Sequence, residues 1–358
     1  MIRTLQMDRG QPPHDYAARA LDLTGYVRDP TWFPNSYDAQ TDTLILARLS
    51  RDTQRRAVFL DPRFTAGAPK SPSLPVAQLP HEAMQESAGP LHFIFHTAFC
   101  CSTLLVRALD IPGAAMGIKE PYVLSTFAER SNLATPGVLP ALTATLDLLS
   151  RPFEEGESQI VKPSNIANHI IAQVMHIRPD AKVLLLYSNL ETFLRAIARR
   201  GEQGRSFGRT LFQHFLRAMP QSKAFSAEEL MLQTDLQISA HAWLMQASMF
   251  RGLAQRYGAN RVRTLNSDTL LANVPSTLEK VGAFFGLKAQ DWQVIANGPV
   301  FQEHAKEHGR PFDANAYKAQ FDQAGFSHAN ELRMALNWAA QLAQHCNYPL
   351  TLGDTLFD

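Results

Sequence analysis

Residues 91–110 read LHFIFHTAFCCSTLLVRALD. Residues 91–95 form an apolar run rich in β-formers, and residues 103–109 have the composition of a helix. Between them lies a tight turn that ends in the hydroxyl side chains of Ser102 and Thr103. A strand, a tight turn and a helix make the local plan of an anion site. Backbone N–H groups at a helix N-terminus, together with the helix dipole, favour negative charge. The other reading is that Ser102 only caps the helix. The turn carries two adjacent cysteines, Cys100 and Cys101, and neither glycine nor lysine. The pattern G-x-x-x-x-G-K-[ST] is therefore absent, which places a P-loop phosphotransferase last among the enzyme classes.

Outward from this stretch the chain alternates. Residues 115–119, 158–162, 182–187 and 261–266 read as further strands, and residues 139–149, 165–177 and 189–200 as helices. The run KVLLLY at 182–187 is almost wholly apolar, as a strand covered on both faces must be. Strands alternating with helices predict βαβ units, a parallel sheet and right-handed crossovers. Beyond residue 225 the pattern is mainly helical. In such sheets ligands sit at the carboxyl ends of the strands. Those ends carry His96 to Thr103, Lys119 with Glu120, Lys162 to Asn165, and Tyr187 to Asn189.

Residues 1–90 differ from the rest. Residues 43–48 and 57–60 read as two strands separated by a charged turn, and residues 66–80, AGAPKSPSLPVAQLP, as a loop. The division expected is an N-terminal extension over 1–90 and an α/β domain over 91–358. The chain has 358 residues, is 45% hydrophobic and carries a formal net charge of +1, so no overall field points to nucleic acid or an anionic membrane. Three cysteines do not make a disulfide framework and fit a reducing compartment. The N-terminal residues MIRTLQMDRGQPPHDY lack the apolar core of a signal peptide, and no apolar run is long enough to span a bilayer. A cytoplasmic protein acting on a small-molecule acceptor is the expectation, with no membrane or nucleic-acid partner. Oligomeric state is not encoded legibly.

The segment FHTAFCCSTLL at 95–105 resembles the sulfate-donor loop of bacterial sulfotransferases, roughly P-R-S-G-S-T-L-L. GIKEP at 117–121 is similar to their K-E-P segment, and IVKPSN at 160–165 to their next strand end. AKVLLLYSNLETFLRAIARR, from Ala181, is similar to the strand and helix that hold the donor's 3′-phosphate. RVRTLNSDTLLANVPSTLEKVGAFFGL, from Arg261, follows their late strand, acidic-Leu, proline and F-x-G-L pattern. The resemblance covers 91–287. It implies an α/β fold of P-loop NTPase-like, sulfotransferase type: a parallel sheet flanked by helices, a small N-terminal β appendage and a helical C-terminal part. It also implies 3′-phosphoadenosine-5′-phosphosulfate (PAPS) as donor, no metal, and sulfuryl transfer to a hydroxyl or amine. Cys101, Ser102 and Thr103 then fall in the donor loop, Ser188 and Arg195 by the 3′-phosphate, and Lys306 in a basic loop closing over the donor.

The sequence departs from that pattern at two points. Phe99 stands where the family carries Arg or Lys, and Cys101 where it carries Gly. In R-N-P-x-D-x-x-x-S, Arg and Ser are replaced by Ser188 and Ala196. Replacement cations from Lys119, Lys162, Arg195, Arg199, Lys306 or Arg310, a different donor, or lost catalysis in a protein that binds a phosphorylated ligand or partner are the competing explanations. Glu120 is the candidate general base, a carboxylate at a strand end beside Lys119 and before a rigid proline. Its alternative is a simple ion pair. His96 either orients the loop or serves as acid and base. Lys162 is a candidate phosphate contact or a solvated side chain. The cysteines are either small core residues or a low-pKa thiol at a helix N-terminus. Residues 201–209, GEQGRSFGR, read as a turn or a mobile loop on the substrate side.

Overall fold

The structure is a computed structural model and describes residues 23–129, 137–219, 225–307, 309–311 and 313–358. The N-terminal residues 1–16 read above, and His308 within the late basic segment, lie outside the described residues. Eight strands are present among the described residues: β1 (Trp32–Asp38), β2 (Thr43–Arg48), β3 (Leu74–Pro75), β4 (Leu91–His96), β5 (Ala115–Lys119), β6 (Ser158–Lys162), β7 (Val183–Tyr187) and β8 (Val262–Asn266). The last five form one sheet in the order β5-β6-β4-β7-β8, and every pairing in it is parallel. This is the flanked parallel sheet expected from the alternation, with a small antiparallel sheet before it and a helical part after it.

β4 through β7 are buried along their whole length, so each strand supplies side chains to two cores. Phe93 and Phe95 point to one face and Ile94 to the other, the two-residue period of a strand. The first core is continuous with Leu44, Leu46 and Tyr37 of the N-terminal sheet. The second face packs on Leu105 and Val106 of the helix Ser102–Ala108. A third cluster, around Trp243, fills the helical part. From β4 the chain passes to the edge strand β5, returns to β6 beside β4, and then crosses to β7 and β8 on the other side. The direction of winding therefore reverses about β4, and its carboxyl end opens into the crevice that such reversals create.

Several expectations are corrected. Residues 57–60 are not a strand. They run as an extended connection in which the Leu60 N–H donates to the Lys119 carbonyl (2.8 Å) and its carbonyl accepts from Tyr122 N–H (3.0 Å). The charged stretch before them is the helix Arg51–Arg56, capped by the Ser50 side chain. The partner of β2 is instead β1, hidden in the sequence by Pro34 and a bulge between Pro34 and Ser36. Residues 66–80 are mostly loop but contain β3 and a 3₁₀ turn, Val76–Gln78. Residues 165–177 begin as 3₁₀ helix, Asn165–Ile170, before the α-helix Ile171–Ile177. Residues 201–209 are not a loop but the start of the 18-residue helix Gly201–Ala218. No described helix is long and apolar enough to cross a membrane.

Candidate functional site

The turn after β4 is tight enough to force three side-chain-bearing residues into positive φ: Ala98 at 75°, Phe99 at 53° and Cys101 at 61°. Glycine adopts this region freely and other residues at a cost, which is why position 101 suits glycine physically. Cys101 is the N-cap of the helix Ser102–Ala108 and makes no side-chain cap bond. The first N–H groups of that helix have no intrahelical acceptor. His96 sets the entry to the turn. Its Nδ1 accepts from the Ala98 N–H (3.1 Å), so the Nε2 carries the proton and donates to the Pro163 carbonyl (3.1 Å). Burial, reinforced by the charges of Lys162 and Lys306, holds the imidazole pKa well below its usual value, in keeping with a neutral ring. Asn168 Nδ2 donates to the His96 carbonyl (2.9 Å) and so fixes the backbone as well.

A cleft of about 240 Å³ opens in front of this turn. It is lined by His96, Cys101, Ser102, Thr103, Glu120, Lys162 and Lys306, seven of the residues nominated from the sequence. Lys162 ends β6 and is 1% exposed, and its Nζ is paired with the Glu120 carboxylate. Glu120 follows β5 at φ 47°, pinned by its N–H donating to the Lys162 carbonyl (2.7 Å). Phe59 meets two cations. The Lys162 ammonium lies 5.5 Å and the Lys306 ammonium 5.2 Å from its ring centroid. Residue Lys306 is exposed as a whole. Its ammonium is nevertheless turned inward, and desolvation with the nearby Lys162 charge lowers its pKa. Asn165, 5% exposed, lines the same cleft with its Nδ2 unpartnered.

The remaining nominated residues lie elsewhere. Ser188 is fully buried behind the turn, its N–H donating to Thr97 Oγ1 (3.4 Å) and its carbonyl accepting from Trp243 Nε1 (3.0 Å). Arg195 pairs with Glu191 (2.5 Å) and lies over the Phe321 ring. Lys119 points away from the cleft and donates to the Arg55 carbonyl (2.9 Å), with burial lowering its pKa to about 8. Arg310 pairs with Glu307 (2.5 Å). Burial pushes the Cys100 thiol up to about 12 and the Cys101 thiol up to about 11, so desolvation outweighs the helix terminus and neither is a ready thiolate.

Sequence reasoning missed Phe59, Phe207 and Arg200. Phe59 falls in the stretch misread as a strand, and Phe207 in the helix misread as a loop. Arg200 ends a helix with nothing in its neighbours to single it out, yet its guanidinium lies 4.2 Å from the centroid of Phe99. Phe99 also packs against Phe193 and Phe207, with centroids 5.8 and 5.3 Å away.

No family model matches the sequence, and no curated protein does. Among solved structures, the chain is similar to a sulfotransferase from Mycobacterium tuberculosis H37Rv, with 12% identity and a TM-score of 0.40 over 68% of this chain and 79% of that one. It is similar to the sulfotransferase domain of the Synechococcus PCC 7002 olefin synthase, with 14% identity and a TM-score of 0.39 over 74% and 97%. A sulfotransferase from Alicyclobacillus acidocaldarius matches with 15% identity and a TM-score of 0.36 over 66% and 93%.

Proposed function

We propose that the chain is a transferase of the sulfotransferase type. It moves a sulfuryl group from PAPS to a hydroxyl or amine of a small or medium acceptor. The observation that carries this reading is the convergence of the turn at 97–101, the Lys162–Glu120 pair and Lys306 on one cleft. Ser102, Thr103 and the free N–H groups of the helix start would hold the donor's phosphosulfate. Asn165 offers an amide hydrogen with no partner in the protein.

In the reaction, the acceptor oxygen or nitrogen attacks sulfur as the bond from sulfur to the bridging phosphate oxygen breaks. The electron pair of that bond stays on the phosphate, and the acceptor's proton passes to Glu120. Lys162 and Lys306 counter the charge that builds on the leaving phosphate, the step at which preorganised cations count most. His96 has both nitrogens committed to backbone partners and serves as a positioning residue for the turn.

Phe99, an apolar ring where a donor loop would carry a cation, favours a second reading: a catalytically altered protein that binds a phosphorylated ligand or partner. A thermal-shift titration tests the donor site that the first reading requires. A ligand that binds only the folded state stabilises it by RT ln(1 + [L]/Kd), about 2.7 kcal/mol at a hundredfold excess over Kd. Adenosine 3′,5′-bisphosphate should raise the melting temperature. Turnover of PAPS with an acceptor, read as sulfated acceptor and adenosine 3′,5′-bisphosphate formed together, then distinguishes the transferase from the binder, and no shift with either nucleotide removes the transferase.

A further inference from the structure

The segment that carries Phe59 comes long before β4 in the chain, yet it is tied to the end of β5. Lys119 Nζ donates to the Arg55 carbonyl (2.9 Å), the Leu60 N–H to the Lys119 carbonyl (2.8 Å), and the Tyr122 N–H to the Leu60 carbonyl (3.0 Å). Ala57 and Leu60 are buried in the first core and fix the segment from below. Phe59, between them, is half-buried and lines the cleft together with Glu120, Lys162 and Lys306. Its ring lies 5.5 Å from the Lys162 ammonium and 5.2 Å from the Lys306 ammonium, both within the range of a cation–π contact. These two like charges converge on one cleft. Lys162 has the Glu120 carboxylate as counter-ion. Lys306 reaches in on a long, rotatable stem from a turn in which the His304 N–H donates to the Arg310 carbonyl (2.8 Å). A lysine of this kind loses rotamer freedom when a ligand captures it, and a ring that already holds its head reduces that loss.

We propose that Phe59 is a positioning residue of the site: its ring holds the Lys162 and Lys306 ammonium groups at the cleft, so that a residue ahead of β4 completes an anion site built at the strand ends. The negative face of the ring stabilises each cation without neutralising it, and both charges stay available to an anion. Asn165 marks the same cleft independently as built for a ligand, with a buried and unpartnered Nδ2. Lys119 acquires a role from this geometry. Its charge turns away from the cleft and fastens the segment that delivers Phe59. The assignment rests on the anion-binding reading of the cleft and adds a residue to it.

The test uses the full chain, with adenosine 3′,5′-bisphosphate as probe and affinity measured by calorimetry. Phe59 is replaced in turn by mono-, di- and trifluorinated phenylalanine. Fluorine withdraws electron density from the ring face and barely alters its shape, so a role in packing alone predicts a flat series. The cation-holding role predicts a stepwise fall, reaching roughly three- to tenfold with the trifluorinated ring. Phe59→Leu should lose at least as much, and Phe59→Tyr, which keeps an electron-rich face, should retain most of the affinity. A flat fluorination series, with the wild type binding normally, overturns this assignment alone. Failure of the wild type to bind the probe overturns the anion-binding reading and the assignment with it.

Discussion

At the scale of single residues the cleft turns on Lys162. Its burial at 1% exposure beside the Glu120 carboxylate is tolerable only because the two charges meet. The same pairing bears on the proposed transfer, because the Glu120 oxygen that meets the lysine is not open to an acceptor's proton. In the proposed reaction, anion binding would give the ammonium a second partner and so turn Glu120 toward the acceptor. Replacing Lys162 with Met, which keeps volume, should therefore act on both steps. Affinity for adenosine bisphosphate should fall, and sulfuryl transfer should slow by about a hundred- to thousandfold, the usual loss for a preorganised transition-state contact. Single-turnover rates and calorimetry on the one variant read the two effects separately. Equal affinity and equal rate would remove Lys162 from the mechanism.

The elements explain why some of this was legible in the sequence and some was not. Strands buried on both faces announce themselves as apolar runs, so β4 and β7 were plain, while β6, SQIVK, followed from the alternation and the proline that ends it, and with them came the strand ends that carry His96, Lys162 and the turn. β1 was not, because Pro34, Asn35 and Ser36 break the run where a bulge makes room for them. The helix Gly201–Ala218 was hidden by glycines that a helix ordinarily avoids. They are there for packing. A Cβ at Gly204 would strike the Ile197 carbonyl oxygen, and one at Gly208 would strike the Ser239 side chain on the helix Asp235–Tyr257. Single-residue propensity cannot register a close approach between helices. Arg200 and Phe207 were invisible for the same reason, since their approach to Phe99 depends on the break at Gly201, at φ 55°, between the helices Leu190–Arg199 and Gly201–Ala218. Gly208→Ala should force the two helices apart and destabilise the protein by roughly 1–3 kcal/mol, the range for overpacking a tight contact. Denaturant unfolding at constant m-value checks it, and a neutral result would mean that the crossing is looser than the backbone spacing implies.

Over the whole molecule, one feature of the burial pattern sets the response to acid. His92, His169 and His241 are held neutral chiefly by desolvation, each with its pKa lowered to about 4, and burial likewise holds His96 well below its usual value. In the unfolded chain these rings titrate near 6.5. Between that value and about 4 the unfolded state binds more protons than the folded one, so stability is complete above 6.5 and drains away as pH falls. Each such proton contributes a slope of about 1.4 kcal/mol per pH unit. The urea midpoint should thus drop steeply from pH 6.5 to 5, before most carboxylates titrate, and a flat profile there would contradict the buried neutral rings. The left-handed residues of the cleft bear on the whole chain differently. Ala98, Phe99, Cys101 and Glu120 hold conformations that cost roughly 1–2 kcal/mol apiece. Heredity sees that cost only through the fitness of the whole protein. A laboratory lineage selected for heat resistance alone would drift toward glycine at positions 98 and 101, whereas one that must also keep the cleft would hold the side chains it needs, so a residue lost under the first regime and kept under the second would be one that the cleft requires.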